Sequence, residues 1–186
     1  MKELNSVGQA GQFKVRLLDS EGKVKSDWET FANTGVDQGL TYMQSTAFQR
    51  GPVLVSPIAS WFIGIYSGSV DTETLKGTTA ATVAADTTEI TDTNYNETGR
   101  IAWAINDIVG NNDTDRTITN STVPAVFTFI TSATIEGAFI VSEQTSGGVS
   151  AAATLFAISN FTSARAAQAG DVLQIVYDTT LSSAAP

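Results

Sequence analysis

Cysteine and histidine are both absent from this sequence of 186 residues. Without cysteine the chain has no disulfide, no thiolate nucleophile and no Cys-based zinc or iron–sulfur site. Without histidine it lacks the commonest general base and metal ligand, so Ser-His-Asp and Cys-His catalysis are excluded within one chain. We therefore expect a protein that is not an enzyme and that has no catalytic residue, cofactor or metal.

The sequence also has few charged residues and no long apolar run. Charged side chains make up 16%, where a typical soluble domain has about 25%. The nineteen acidic residues outnumber ten scattered basic ones, whereas nucleic-acid binding requires clusters of Lys and Arg. No stretch approaches the ~18 apolar residues of a membrane helix, and the N-terminus lacks the apolar core of a secretory signal. We expect a soluble protein that binds neither nucleic acid nor a membrane.

The N-terminal part of the chain shows the pattern of a β-hairpin. Phe13, Val15 and Leu17 alternate with polar residues, and residues 19–22 (DSEG) form a strong turn signal. A second extended pattern follows the turn, so we predict a hairpin over residues 12–30.

A helical pattern comes next, and we predict one α-helix near residues 34–48. Asn33 or Thr34 can cap its start, and Gly51-Pro52 can end it. Its glycines reduce helix stability by about 1 kcal/mol each, so the helix needs tertiary packing. The apolar stripe that would pack consists of Val36, Leu40, Met43 and Ala47.

The rest of the chain alternates strand patterns with polar turns. The predicted strands are 60–67, 99–107, 123–131, 134–143, 152–159 and 171–181. Short strands without intervening helices indicate antiparallel pairing in a sandwich or barrel. We therefore predict one all-β domain over residues 1–186, an antiparallel sandwich of jelly-roll or Ig-like type with a mobile N-terminal arm at 1–11.

The predicted strand at 60–67 is apolar on both of its faces. Trp61, Ile63 and Ile65 alternate with Phe62, Gly64 and Tyr66. The helix stripe can cover one face and the opposing sheet the other, or one face can form a subunit interface. Gly64 and Gly137 lie inside strand patterns, where glycine marks a bulge or close approach by a group such as an aromatic ring.

A polar, Thr-rich segment at residues 68–98 interrupts the strands, and we call it the flap. Loops of this length are usually functional or poorly ordered. Four apolar residues could anchor it as an ordered surface element. They are Leu75, Val83, Ile90 and Tyr95.

The flap carries the residues that come closest to a catalytic set. Glu89, Asp92 and Glu97 lie near one another, and a pair of carboxylates could serve a glycosidase. Acidic residues in a polar segment also serve solubility alone. Arg100 can form a structural ion pair with Glu89 or Glu97 and so hold the flap in place.

The segment NNDTDR at 111–116 has the alternating Asn111, Asp113 and Asp115 of an EF-hand loop. That loop requires Gly at its sixth position and Glu at its twelfth. Arg116 and Thr122 occupy those positions, so we predict a polar turn.

Several of these runs, in their order and approximate spacing, resemble a family of small tailed-bacteriophage virion proteins encoded among head genes. The resemblance covers roughly residues 26–181. Its runs are the hairpin end at Trp28, NTGVDQGLTYM, WFIGIY, TEITDTNYNETGRIAW, ITNSTVPAVFTF, TIEGAFIVSE and GDVLQIVYDTTL. The resemblance implies a β-rich decoration or cement protein on the capsid exterior, which binds as a trimer or at symmetry axes and bridges major capsid subunits. The family has no catalytic motif to carry over.

We therefore expect a homotrimeric decoration protein on the virion exterior, with the major capsid protein as its partner. The arm at 1–11 and the Phe13–Trp28 hairpin are the expected shell-contacting part. The first alternative is a tail- or fibre-associated module that binds a host receptor, for which the flap could supply the contact. The second is a carboxylate-based polysaccharide depolymerase.

Overall fold

The computed structural model describes residues 7–48, 57–105, 107–109, 115–148 and 152–183. The strands are β1 (Val7–Leu18), β2 (Val24–Ala32), β3 (Thr34–Gly35), β4 (Phe62–Ser67), β5 (Thr88–Ile90), β6 (Ile101–Ala102), β7 (Asp107–Val109), β8 (Asp115–Thr119), β9 (Ala125–Thr128), β10 (Ala133–Val141), β11 (Leu155–Ala167) and β12 (Val172–Ser183). The helices are α1 (Asp37–Phe48), α2 (Thr72–Gly77) and α3 (Val83–Asp86).

The strands form two antiparallel six-stranded sheets that pack against each other. The first sheet has the order β2-β1-β12-β8-β7, and β9 also pairs with β12. The second sheet has the order β3-β11-β10-β4-β5, and β6 also pairs with β4. The predicted all-β sandwich with a helix after the first hairpin is confirmed.

The N-terminal hairpin is confirmed as β1 and β2, and it belongs to the core. The Asp19 carboxylate accepts hydrogen bonds from the backbone N–H groups of Glu21 and Lys23, which stabilises the turn. The first sheet buries Phe13 and Val15 completely. The predicted arm at 1–11 was too long, because Val7–Gly11 pair with β12. Residues 1–6 lie outside the described residues.

The remaining strands agree with the sequence where the apolar pattern is strong. The predictions at 60–67, 123–131, 134–143 and 171–181 correspond to β4, β9, β10 and β12. The predicted strand 99–107 is largely wrong, since β6 covers only two of its residues and β7 begins at Asp107. The pattern missed β8 because its residues are mostly polar, and it ended β11 too early at 159. Pairing with β12 and β10 extends these two strands.

The core between the sheets covers one of the two apolar faces of β4. Ile63 and Ile65 are fully buried there, together with Phe127, Ile135 and Ile175 from both sheets. One face of β4 is therefore inside the sandwich.

A second apolar cluster covers the opposite face of β4. Tyr66 is fully buried in it, next to Leu75, Ala80 and Val83 of the flap and Val36 at the start of α1. The predicted helix stripe covers this face only in part, through Val36. Leu40 remains 42% exposed, and the flap supplies most of the cover.

The position of α1 explains why Leu40 of its predicted stripe does not face the core. The helix starts at Asp37 because Thr34 and Gly35 form β3, so neither Asn33 nor Thr34 caps it. Gly39 is pressed against β11, where a Cβ would overlap the carbonyl oxygen of Phe156. The helix therefore turns Gly39, and not Leu40, toward the sheet. It ends at Phe48, and the predicted stop at 51–52 lies outside the described residues.

The flap is an ordered surface element and not a poorly ordered loop. It contains α2, α3 and β5, of which the sequence predicted none. Asp71 caps α2 by accepting a hydrogen bond from the Thr74 backbone N–H. The four predicted anchors, Leu75, Val83, Ile90 and Tyr95, are all buried.

Two glycines inside strands allow aromatic rings to lie on the second sheet. A Cβ on Gly64 would overlap the ring of Phe139, and one on Gly137 would overlap the ring of Tyr66. The predicted close approach of a ring is confirmed at both positions. These two rings stack with their centroids 6.4 Å apart.

Replacing Gly39 with Ala tests the contact between α1 and β11. Helix propensity alone would favour the substitution by about 1 kcal/mol. We expect it instead to lower the free energy of unfolding by about 1–3 kcal/mol, because the new methyl group has no space. Urea unfolding monitored by circular dichroism measures the change.

Gly77 in α2 provides the matched control, since a Cβ there meets nothing within 4 Å. Gly77→Ala should leave stability unchanged or raise it slightly. Equal effects of the two substitutions would contradict the tight packing of α1.

Candidate interaction surface

The three flap carboxylates considered as a catalytic set, Glu89, Asp92 and Glu97, have different surroundings. Glu97 accepts a hydrogen bond of 2.9 Å from the backbone N–H of Thr128. Asp92 lies in an exposed turn. Glu89 forms a salt bridge with Arg100. The geometry therefore offers no support for a catalytic pair among the three.

Arg100 forms the structural ion pair that the sequence predicted, with Glu89. Its Nε lies 2.7 Å from Glu89 Oε1, and its Nη2 lies 3.0 Å from Oε2. Both side chains are almost completely buried. Arg100 Nη1 also donates to the Glu143 carbonyl, and Glu89 accepts from the Gly147 backbone N–H. The pair therefore ties the flap to the loop after β10.

Removing one partner of this pair should destabilise the fold strongly. We expect Glu89→Gln to lower the free energy of unfolding by about 3–5 kcal/mol, because the Arg100 charge would stay buried without its carboxylate. A double-mutant cycle with Arg100→Met, measured by urea unfolding, should show strong coupling.

The exposed pair Glu73–Lys76 on α2 serves as the control, with its side chains 82% and 49% accessible. Lys76→Met should cost less than about 1 kcal/mol. If Glu89→Gln costs no more than Lys76→Met, the buried pair is not what holds the flap.

The described residues give little support to a metal site. No group of three or more acidic side chains there is arranged to hold a metal ion. Asn111 and Asp113 of the EF-hand-like segment lie outside the described residues, and Thr122 is exposed in a turn.

Burial raises the pKa of Tyr66, Tyr95 and Tyr177 above the ordinary value, so these phenols stay protonated at neutral pH.

The two outer faces of the sandwich differ in how far other elements cover them. The outer face of the second sheet is covered by α1 and the flap. On the first sheet, alternation along β1 places Phe13, Val15 and Leu17 inside and the residues between them outside. This outward face carries exposed polar, basic and aromatic side chains, and it is the best candidate for binding a partner.

A tryptophan and an arginine form the centre of this candidate surface. The guanidinium carbon of Arg16 lies 4.7 Å from the centroid of the Trp28 ring. Arg16 also donates a hydrogen bond of 2.6 Å to the side chain of Gln174. Trp28 is 38% exposed. Trp and Arg are the residue types that most often dominate binding energy at protein interfaces.

Apolar side chains continue this surface across three strands. Leu18 pairs with Val24 on one side and with Val172 on the other. Val24 is 49% exposed, and the other two are partly exposed. We define the β2 surface as Arg16, Leu18, Val24, Trp28, Val172 and Gln174.

Charged pairs flank the β2 surface. Lys14 lies 2.7 Å from Asp178, and Lys25 lies 2.6 Å from Asp171. Burial alone would raise the pKa of Asp178, but hydrogen bonds from Lys14, Thr119 and Gln12 outweigh it, so the pKa lies below the ordinary value. Asp178 is therefore ionised at neutral pH and holds the Lys14 ammonium on the outer face.

The β2 surface was only partly visible in the sequence. The predicted hairpin placed Arg16 on the polar face of its first strand and Trp28 near the end of its second. Their contact depends on a bulge in β2, which places both Asp27 and Trp28 opposite Arg16. Sequence periodicity does not locate a bulge, so the pair could not be assigned from the pattern.

Comparison with models of known protein families gives no match, and comparison with curated proteins gives none either. The resemblance to tailed-phage virion proteins therefore stays a prediction. None of the described helices is long and apolar enough to cross a membrane.

Proposed function

We propose that this protein is a non-enzymatic tailed-phage virion protein that decorates the capsid exterior and stabilises the assembled head. The observation that carries the proposal is the uncovered β2 surface, with Trp28 and Arg16 at its centre. The ordered sequence runs that resemble small tailed-phage virion proteins encoded among head genes support it. The partner is the major capsid protein, which would cover the exposed apolar side chains of the β2 surface.

The charge of the chain suits this position on the particle. Its net charge is −9, which favours an outer surface over one that faces packaged DNA, where phosphates would repel it. Each contact needs to be only moderately strong, because many identical copies bind one shell. A copy that bridges two capsid subunits gains further from avidity.

Capsid binding by Trp28→Ala tests the proposal. On undecorated capsids of the phage that encodes the protein, we expect the parent chain to bind. The variant should bind about thirtyfold more weakly, as expected when a hot-spot side chain is removed. Co-sedimentation of protein with capsids measures both affinities.

Leu40→Ala on α1 is the matched control, because Leu40 is a similarly exposed apolar residue on the covered side of the sandwich. It should bind as the parent does. Equal binding by parent and Trp28→Ala would exclude the β2 surface as the shell contact. Absence of binding by the parent would exclude decoration and favour the tail-associated alternative, whose copy number per particle is far lower.

We further propose that the protein forms a trimer. Exposed apolar residues outside the β2 surface, such as Val123 and Ile130, suit burial between copies. Sedimentation equilibrium at micromolar concentration should give three times the chain mass of 19.6 kDa. A single species at 19.6 kDa would contradict a trimer in solution.

A further inference from the structure

An open groove lies beside α1, on the side of the sandwich opposite the β2 surface. Its volume is about 410 Å³. Its walls come from α1, from the flap and from the residues that precede β11. The lining includes Asp37, Thr41, Tyr42, Ser45, Thr79 and Thr154.

Gln38 fixes the three walls of the groove relative to one another. Its Oε1 accepts hydrogen bonds from the backbone N–H groups of Ala80 in the flap and Leu155 in β11. Its Nε2 donates to the Ala153 carbonyl. With Gly39 in close contact with Phe156, α1 is held firmly in place. The groove therefore exists before any ligand binds, which reduces the cost of binding.

The groove presents polar side-chain atoms. The side chains of Asp37 and Thr41 are exposed and that of Thr154 is partly exposed, so a ligand in the groove can reach their oxygens. Asp37 is the one charged residue among the described residues of the lining. The hydroxyl of Tyr42 accepts a hydrogen bond from the Ile58 backbone N–H, which orients its ring.

This combination of groups matches a polyhydroxylated ligand. A carboxylate accepts hydrogen bonds from two adjacent hydroxyl groups, and threonine hydroxyls both donate and accept. The Tyr42 ring and the threonine methyl groups provide apolar contacts for the C–H face of a sugar ring. Asp37 would repel an anionic ligand, and none of the described residues that line the groove is cationic. We propose that the groove binds a neutral pyranose, such as the terminal sugar of a surface glycan.

Titration of the ¹⁵N-labelled protein with simple sugars tests this proposal. The probes are methyl α-D-glucopyranoside, methyl β-D-galactopyranoside and N-acetylglucosamine. At least one of them should shift the amide signals of Thr41, Thr79 and Thr154 with an affinity on the order of 1 mM. N-acetylneuraminic acid, which is anionic, should bind much more weakly.

Asp37→Asn should weaken binding of the responding sugar about tenfold, because it removes a charged hydrogen-bond acceptor. Thr154→Val should weaken it by a smaller factor. Asp92→Asn, an exposed acid in a different turn of the flap, should leave the affinity unchanged. Amide signals far from the substituted residue should keep the positions they have in the parent protein, which shows that each variant is folded.

Two results would overturn the proposal. The first is that none of the three sugars shifts the groove signals at about 20 mM, well above the expected dissociation constant. The second is that the sugar shifts persist unchanged in Asp37→Asn. Neither result depends on capsid binding. The titration therefore tests sugar binding by the groove separately from the proposed decoration role.

Discussion

The second sheet of the sandwich is apolar on both of its faces, and the rest of the architecture depends on how the second face is covered. The opposing sheet buries Ile63 and Ile65. Tyr66 and Phe139 project the other way and would expose large aromatic surfaces without cover. Burying such a side chain is worth about 1.5–3 kcal/mol, so the flap and α1 are parts of the core and not additions to it.

This cover gives the molecule two different sides. The side with α1 and the flap is closed over the second core and is fastened by the Glu89–Arg100 pair and by Gln38. The other side is the outer face of the first sheet, which carries the β2 surface. Its edge strand β2 is bulged and carries charged residues, features that discourage uncontrolled pairing of sheet edges. A specific partner can still use the side chains on its face, as the proposed decoration role requires.

The buried polar groups of this protein serve its architecture. Arg100 and Glu89 satisfy each other and two backbone groups, which is the condition under which a buried charge is tolerated. Asn120 similarly donates to the Ile175 carbonyl and accepts from the Tyr177 backbone N–H. A carboxylate fixed in this way by structural partners is poorly placed to act in acid–base chemistry. Glu89, which belongs to the set that suggested catalysis in the sequence, therefore supports rigidity in the fold.

The sequence by itself determined the fold class, the first hairpin, the main apolar strands, the anchors of the flap and an ion pair of Arg100 with either Glu89 or Glu97. Each of these follows from local periodicity, turn chemistry or opposite charges close together along the chain. Only the tertiary structure decided which side of α1 faces the sheet, because Gly39 meets Phe156, more than a hundred residues away. It also decided that the polar segment β8 is a strand and that Trp28 lies under Arg16, since long-range pairing and a β-bulge leave no periodic signal in the sequence.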